Sequence, residues 1–267
     1  MESHQFIYAF ALTLFAGLAT GIGSLIALVA RRTNKSLLAF SLGLSAGVMI
    51  YVSFVELFAE AQHSLMESFG EQMGLLYTVL SFFAGLALIA LIDLVVPSSE
   101  NPHQARGVEM IDKPQKDRKL HRMGLLTALA IAIHNFPEGI ATFATAYENP
   151  SLGLAIAAAV AIHNIPEGIA VSVPIYYSTG SRRKAFWYSL LSGLAEPLGG
   201  ILAYLLLMPY MSDELMGYVL AAVAGIMVYI SVDELLPAAR EYGREHVSIV
   251  GFVVGMAIMA ASLILLV

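Results

Sequence analysis

The sequence has no cysteine. That excludes disulfides and thiolate metal sites, so any metal chemistry must rest on nitrogen, oxygen or thioether donors. Charge is scarce as well. Asp, Glu, Lys and Arg make up 13% of the 267 residues, where soluble domains carry roughly 25%. The formal net charge is −6, and no basic stripe with interleaved aromatics occurs. Nucleic acid is therefore not an expected partner. The first residues, Met1-Glu2-Ser3-His4, lack the basic start of a secretory signal.

What remains is apolar. Hydrophobic residues make up 58% of the chain, more than a soluble core absorbs, so lipid must solvate much of it. Eight apolar runs are countable, at about 6–30, 37–58, 72–96, 123–147, 151–177, 185–208, 215–236 and 247–267. They are continuous rather than alternating, which favours helices over barrel strands. The first run reads as an uncleaved spanning helix. The expected fold is an all-α integral membrane protein with eight transmembrane helices, one domain over 1–267. The lipid bilayer is its first partner.

Basic residues orient the chain. Arg31, Arg32 and Lys35 follow the first run. Arg106, Lys113, Lys116, Arg118, Lys119 and Arg122 lie between the third and fourth. Arg182, Arg183 and Lys184 follow the fifth, and Arg240 and Arg244 the seventh; these are all 14 Lys and Arg of the sequence. Every one falls on the same side. Glu2, Glu60, Glu67, Glu71, Glu148, Asp213 and Glu214 fall on the other. Both termini are therefore expected outside. The polar stretch at about 97–120 is expected to be a cytoplasmic loop; its His103 and the nearby His121 could pass metal onward, but read more readily as solvated side chains.

The chemistry sits in a repeat. His134-Asn135-Phe136-Pro137-Glu138-Gly139 in the fourth run recurs as His163-Asn164-Ile165-Pro166-Glu167-Gly168 in the fifth. The midpoint of the two histidines falls in the turn at Glu148–Asn149, so antiparallel helices place both motifs at one depth. This is an inverted repeat centred on the hairpin, an arrangement common in transporters with midplane sites. Within each copy His and Glu are i and i+4, and Asn and Glu i and i+3, so all three share a face. Each proline frees a backbone carbonyl, those of Ile133 and Ile162, and each following glycine lets another backbone approach.

Energy points the same way. A carboxylate near the bilayer centre costs about 2.5–3.5 kcal/mol. Glu138, Glu167 and Glu196 all lie deep in apolar runs with no Lys or Arg at their depth. The compensating charge must be protons or a bound cation. Imidazole with carboxylate and no thiolate suits zinc, and would admit iron(II), manganese, cobalt or nickel. Glu196-Pro197 repeats the kink-plus-carboxylate theme. Met49 and Glu56 share a helix face, Met49 as a soft donor and Glu56 toward the outside on the metal path. Asp93 and the pair Asp233-Glu234 mark either an exit path or solvated helix ends. Glu60, His63 and Glu67 read more readily as solvated surface than as a cation lure.

With these motifs, the sequence resembles the ZIP family of metal transporters over its whole length. Supporting stretches are Leu42-Gly43-Leu44-Ser45-Ala46-Gly47, Ser192-Gly193-Leu194-Ala195-Glu196-Pro197 and Ser231-Val232-Asp233-Glu234-Leu235-Leu236-Pro237. The resemblance implies a binuclear site. One metal would use His134, His163, Glu138 and Glu167 with Met49. The second would use Asn135, Asn164, Glu196 and the shared Glu138 and Glu167. Other family members carry different side chains where this chain has His163 and Asn164, and Glu56 departs from some relatives and would add a metal contact. The resemblance also implies uptake of Zn2+, with Fe2+, Mn2+, Co2+ or Cd2+ as further cargo. It implies the bacterial cytoplasmic (inner) membrane, movement of one helix bundle against another, a homodimer, no organic cofactor and no enzymatic activity. Two other readings compete: an intramembrane metalloenzyme, disfavoured because no His-Glu-x-x-His occurs, and a proton-coupled transporter of another substrate.

Overall fold

The computed structural model describes residues 2–29, 35–95, 118–207, 210, 212–242 and 245–266. The expected loop near 97–120 lies almost wholly outside them. The described chain is helical: α1 (Glu2–Val29), α2 (Lys35–Val52), α3 (Phe58–Phe69), α4 (Glu71–Val95), α5 (Arg118–Glu148), α6 (Pro150–Thr179), α7 (Arg182–Gly193), α8 (Ala195–Leu202), α9 (Asp213–Ile230), α10 (Leu236–Tyr242) and α11 (Glu245–Leu266). Single π-helical turns, Ser53–Leu57 and Ser231–Leu235, join α2 to α3 and α9 to α10, and a third, Ala203–Leu207, follows α8. The described residues therefore form eight rods, in the places of the eight apolar runs.

Seven of these rods are long and apolar enough to cross a membrane. The eighth, α5, starts on Arg118, Lys119 and Arg122 and carries a copy of the polar motif. The outer rods show the pattern lipid demands. Phe15, Leu18, Ile22 and Leu25 on α1, and Leu80, Phe83 and Leu91 on α4, are exposed. A soluble protein would place charge on such faces. This is a multi-pass membrane protein.

Two boundaries differ from the sequence reading. The second run was expected to end near 58, but the rod continues through α3 to Phe69. Polar residues such as Glu60, Gln62, His63 and Glu67 broke the apolar run without breaking the helix, because Ala61 and Leu65 still bury one face. The sixth run is interrupted at Leu194, where α7 ends and α8 begins one turn before Pro197. Proline cannot donate its backbone bond there, so the helical ladder is interrupted beside Glu196.

The rods pack as two groups. One holds α1, α5, α6, α7 and α8; the other holds α2, α3, α4, α9, α10 and α11. Lipid offers no hydrophobic drive between helices, so close backbone approach must hold them. Within the first group, a Cβ on Gly17 would lie 2.4 Å from the Gly193 carbonyl oxygen. Within the second, one on Gly47 would lie 2.0 Å from that of Phe252. The groups meet chiefly where α2 crosses α6, with lesser contact of α5 on α9 and α6 on α11. Between them lies an apolar crevice of about 630 Å³, lined by α4 and α9 on one side and by Ile133, Phe136, Pro137 and Leu198 on the other.

Candidate metal site

The turn between α5 and α6 is a single residue. Asn149 caps α6, its side chain accepting from the Leu152 N–H at 3.1 Å, and Pro150 takes the first helical position. The two motif helices therefore run back along each other from a fixed origin, and the expected inverted hairpin is present. The glycine after each motif glutamate does what the sequence suggested. A Cβ on Gly139 would meet the Glu196 carbonyl oxygen at 2.0 Å, and one on Gly168 the Thr20 oxygen at 1.9 Å. Only a bare Cα lets α8 and α1 close on α5 and α6.

That closeness gathers the polar groups. His163 Nε2 lies 2.9 Å from Glu167 Oε1 and 3.8 Å from Glu138 Oε1. Asn164 donates from Nδ2 to Glu196 Oε1 and, at 2.8 Å, to the Ala16 carbonyl. Asn135, with its amide nitrogen facing the acceptors, donates to Glu167 Oε2 at 3.1 Å and to the Ile131 carbonyl at 3.2 Å. Glu138 and Glu167 both lie within electrostatic reach of Glu196. All six residues are buried.

The other named residues distribute as follows. The side chain of His134 lies outside the described residues, as do His103 and the side chains of His121 and Asp93. Met49 is buried one turn after Ser45, whose hydroxyl touches His163, so Met49 shares the face of α2 that meets the motif helix. Glu56 sits in the π-helical turn after α2, half-buried, where its carboxylate feels Glu60. Glu234 is buried in the second π turn, while Asp233 beside it is exposed. Among the described residues no three His, Asp or Glu side chains stand ready to hold one cation together.

Sequence reasoning missed the company that Glu60, His63 and Glu67 keep. They line a cavity of about 320 Å³ with Thr145, Glu148 and Asp213, drawn from α3, the α5–α6 turn and the start of α9. Burial, with Asp213 and Glu60 alongside, pushes the Glu148 carboxyl above the usual range. His63 and Glu67 pair at 3.5 Å in the open. From this vestibule, Thr145 and Thr142 run down α5 on the face that ends at Glu138. Both hydroxyls are buried without a hydrogen-bond partner among the described residues. A seven-residue offset from Glu138 to Thr145, visible in the sequence, was the available signal.

Residues 96–263 match the family described as ZIP Zinc transporter. The chain belongs to the ZIP family. The ZIP match takes in both motif helices and all that follows to α11. Relatives agree over the full length. The zinc transporter ZupT of Oceanobacillus iheyensis is 61% identical over 97% of this chain and 98% of its own. Those of Streptococcus mutans and Lysinibacillus sphaericus are 58% identical over 99% of both chains and 60% identical over 98% of both.

Proposed function

We propose that this ZIP protein takes up divalent metal ions, chiefly Zn2+, across the bacterial cytoplasmic membrane into the cytoplasm. One observation carries the reading. Three carboxylates and an imidazole are buried together, Glu138, Glu167, Glu196 and His163, and the sequence has no lysine or arginine from 123 to 181 or from 185 to 239. Each carboxylate at that depth costs about 2.5–3.5 kcal/mol if ionised and uncompensated. A cation of charge two offsets that cost, and oxygen with nitrogen donors suits zinc. The names of the ZupT relatives support zinc as the cargo.

On this reading the ligands fall into two overlapping sets, whose side chains must draw together from their present placement to hold a cation. His163 with Glu138 and Glu167 forms the first, to which His134 and Met49 belong. Asn164 with Glu196 forms the second, to which Asn135 belongs, the two sharing Glu138 and Glu167. Asn135 now donates to a carboxylate, so its amide oxygen becomes available to metal only if that bond turns. With both termini outside, the vestibule of Glu60, Glu67, Glu148 and Asp213 faces the medium. Its negative field raises the local cation concentration, and the path runs by Thr145 and Thr142 to Glu138. Glu56, one turn before Glu60 on the same rod, is the carboxylate this reading adds to that path. Metal leaves inward past Glu234.

Loss of either motif carboxylate tests this. Glu138→Ala and Glu167→Ala should abolish radiolabelled zinc accumulation in cells lacking their own zinc importers, with the protein still present in the membrane. Undiminished accumulation by either variant removes that carboxylate from the mechanism.

A further inference from the structure

The ligand His163 is held from across the boundary between the two helix groups. Ser45 lies in the middle of α2 and is fully buried. Its Oγ stands 2.5 Å from His163 Nδ1. The same ring presents Nε2 to Glu167 and Glu138, at 2.9 and 3.8 Å. One nitrogen thus faces the candidate metal position, and the other rests on a hydroxyl from the opposite group. A hydroxyl buried within a helix can bond its own backbone. Thr13, Ser53, Thr78 and Ser231 here each donate to the carbonyl four residues earlier. Ser45 is turned to the imidazole instead.

We propose that Ser45 is a positioning residue for metal binding: its hydroxyl holds the orientation of His163 and accepts the Nδ1 proton when Nε2 is the nitrogen offered to the cation. The reasoning rests on the metal-site reading above. A neutral imidazole carries its proton on one nitrogen, and the bond made by the other decides which. To ligate through Nε2, the ring must hold its proton on Nδ1 and give it to an acceptor. A serine oxygen accepts. With the site empty, Nε2 can instead donate to Glu167, and Nδ1 then needs a donor. A serine hydroxyl donates by rotating about one bond. Serine therefore serves both states, where alanine serves neither. Partners of this kind typically change metal affinity about 10- to 100-fold when removed.

The partner's location adds a consequence. Ser45 belongs to α2 and His163 to α6, so the bond exists only in the present placement of the two groups. Any sliding of one past the other breaks it and leaves the imidazole a weaker ligand. Binding strength at the site is thereby tied to that placement.

The test uses the full-length protein in cells and as purified, lipid-reconstituted material. Ser45→Ala should raise the half-saturating zinc concentration for uptake about 10- to 100-fold, with a smaller change in maximal rate. Manganese, which leans on oxygen donors, should be affected less. Ser45→Thr, which keeps the hydroxyl, should restore much of the loss. In 15N-histidine spectra of zinc-loaded protein, with His163 assigned by comparison to His163→Gln, Ser45→Ala should shift the ring nitrogens from the wild-type Nδ1–H pattern. Half-saturation within twofold of wild type would overturn the proposal. So would equal weakening for zinc and manganese with unchanged ring-nitrogen shifts. Glu167→Ala, run in parallel, separates the two readings: if it too takes up zinc normally, the metal site itself is misplaced. If only Ser45→Ala is normal, the positioning role alone fails.

Discussion

A single methyl group at Gly139 should damage both the fold and the site. A Cβ there would lie 2.0 Å from the Glu196 carbonyl oxygen and 2.6 Å from that residue's carbonyl carbon and Cα. These are backbone atoms of α8, which no rotamer change can move. Contact of ordinary length needs about 3.4 Å or more, so α5 and α8 must part by roughly an ångström. Overpacking of this kind costs about 1–3 kcal/mol. For a chain of this size that lowers Tm by very roughly 2–10 °C. The same displacement carries Glu196 away from Glu138, so uptake should fall beyond what lost protein explains. The assay is thermal unfolding of Gly139→Ala in lipid or detergent, with zinc uptake normalised to membrane protein. Gly70→Ala is the contrast: φ is +80° at that turn and nothing lies within 4 Å of the added carbon. It should cost about 1–3 kcal/mol through the positive-φ, extended backbone alone, a conformation open essentially to glycine, and leave normalised uptake intact. A Gly139→Ala protein with wild-type Tm and uptake would refute the α5–α8 contact on which the site depends.

Further outcomes follow from the same geometry. Asn149→Ala removes the cap of α6 and should lower stability by about 1 kcal/mol, read as a shift in Tm, while Asn149→Ser keeps most of it. Glu148 titrates above its ordinary value of 4.5 when folded, so the folded state holds more protons there than the unfolded one. Stability should fall as pH rises from that ordinary value through the folded one. Glu148→Gln should remove this slope, seen as a Tm gain over wild type that grows toward neutral pH and shrinks when divalent cation is added. Thr142→Val replaces a buried hydroxyl that has no hydrogen-bond partner among the described residues with a side chain of like shape, and should hold or raise Tm. If that hydroxyl lines the metal path, normalised uptake should drop at the same time.

Much of this was legible in the sequence because it lies on one or two helices. The matching motifs sit either side of Asn149, and helical spacing alone puts His163 beside Glu167. Glu196 was visible as a carboxylate with nowhere else to be neutralised. What could not be read comes from between helices. Ser45 is one serine on a helix with several small residues, and no periodicity says that its hydroxyl faces an imidazole 118 positions away. The vestibule draws Glu60, Glu148 and Asp213 from three separate elements, so each alone looked like solvated surface. The length of the second rod was underestimated because polar residues on one face of α3 hid its buried Ala61 and Leu65. The division into two groups rests on which helices bury glycines in one another, and the sequence has 22 glycines to choose from.

Anomalous scattering at the zinc edge from crystals of the full chain grown with zinc tests the central claim most directly. The account predicts a peak between α5 and α6, about 2.0–2.2 Å from His163 Nε2 and from carboxylate oxygens of Glu138 and Glu167. A protein that transports zinc normally yet shows its zinc only among Glu60, Glu148 and Asp213, with the buried cluster empty, would contradict it.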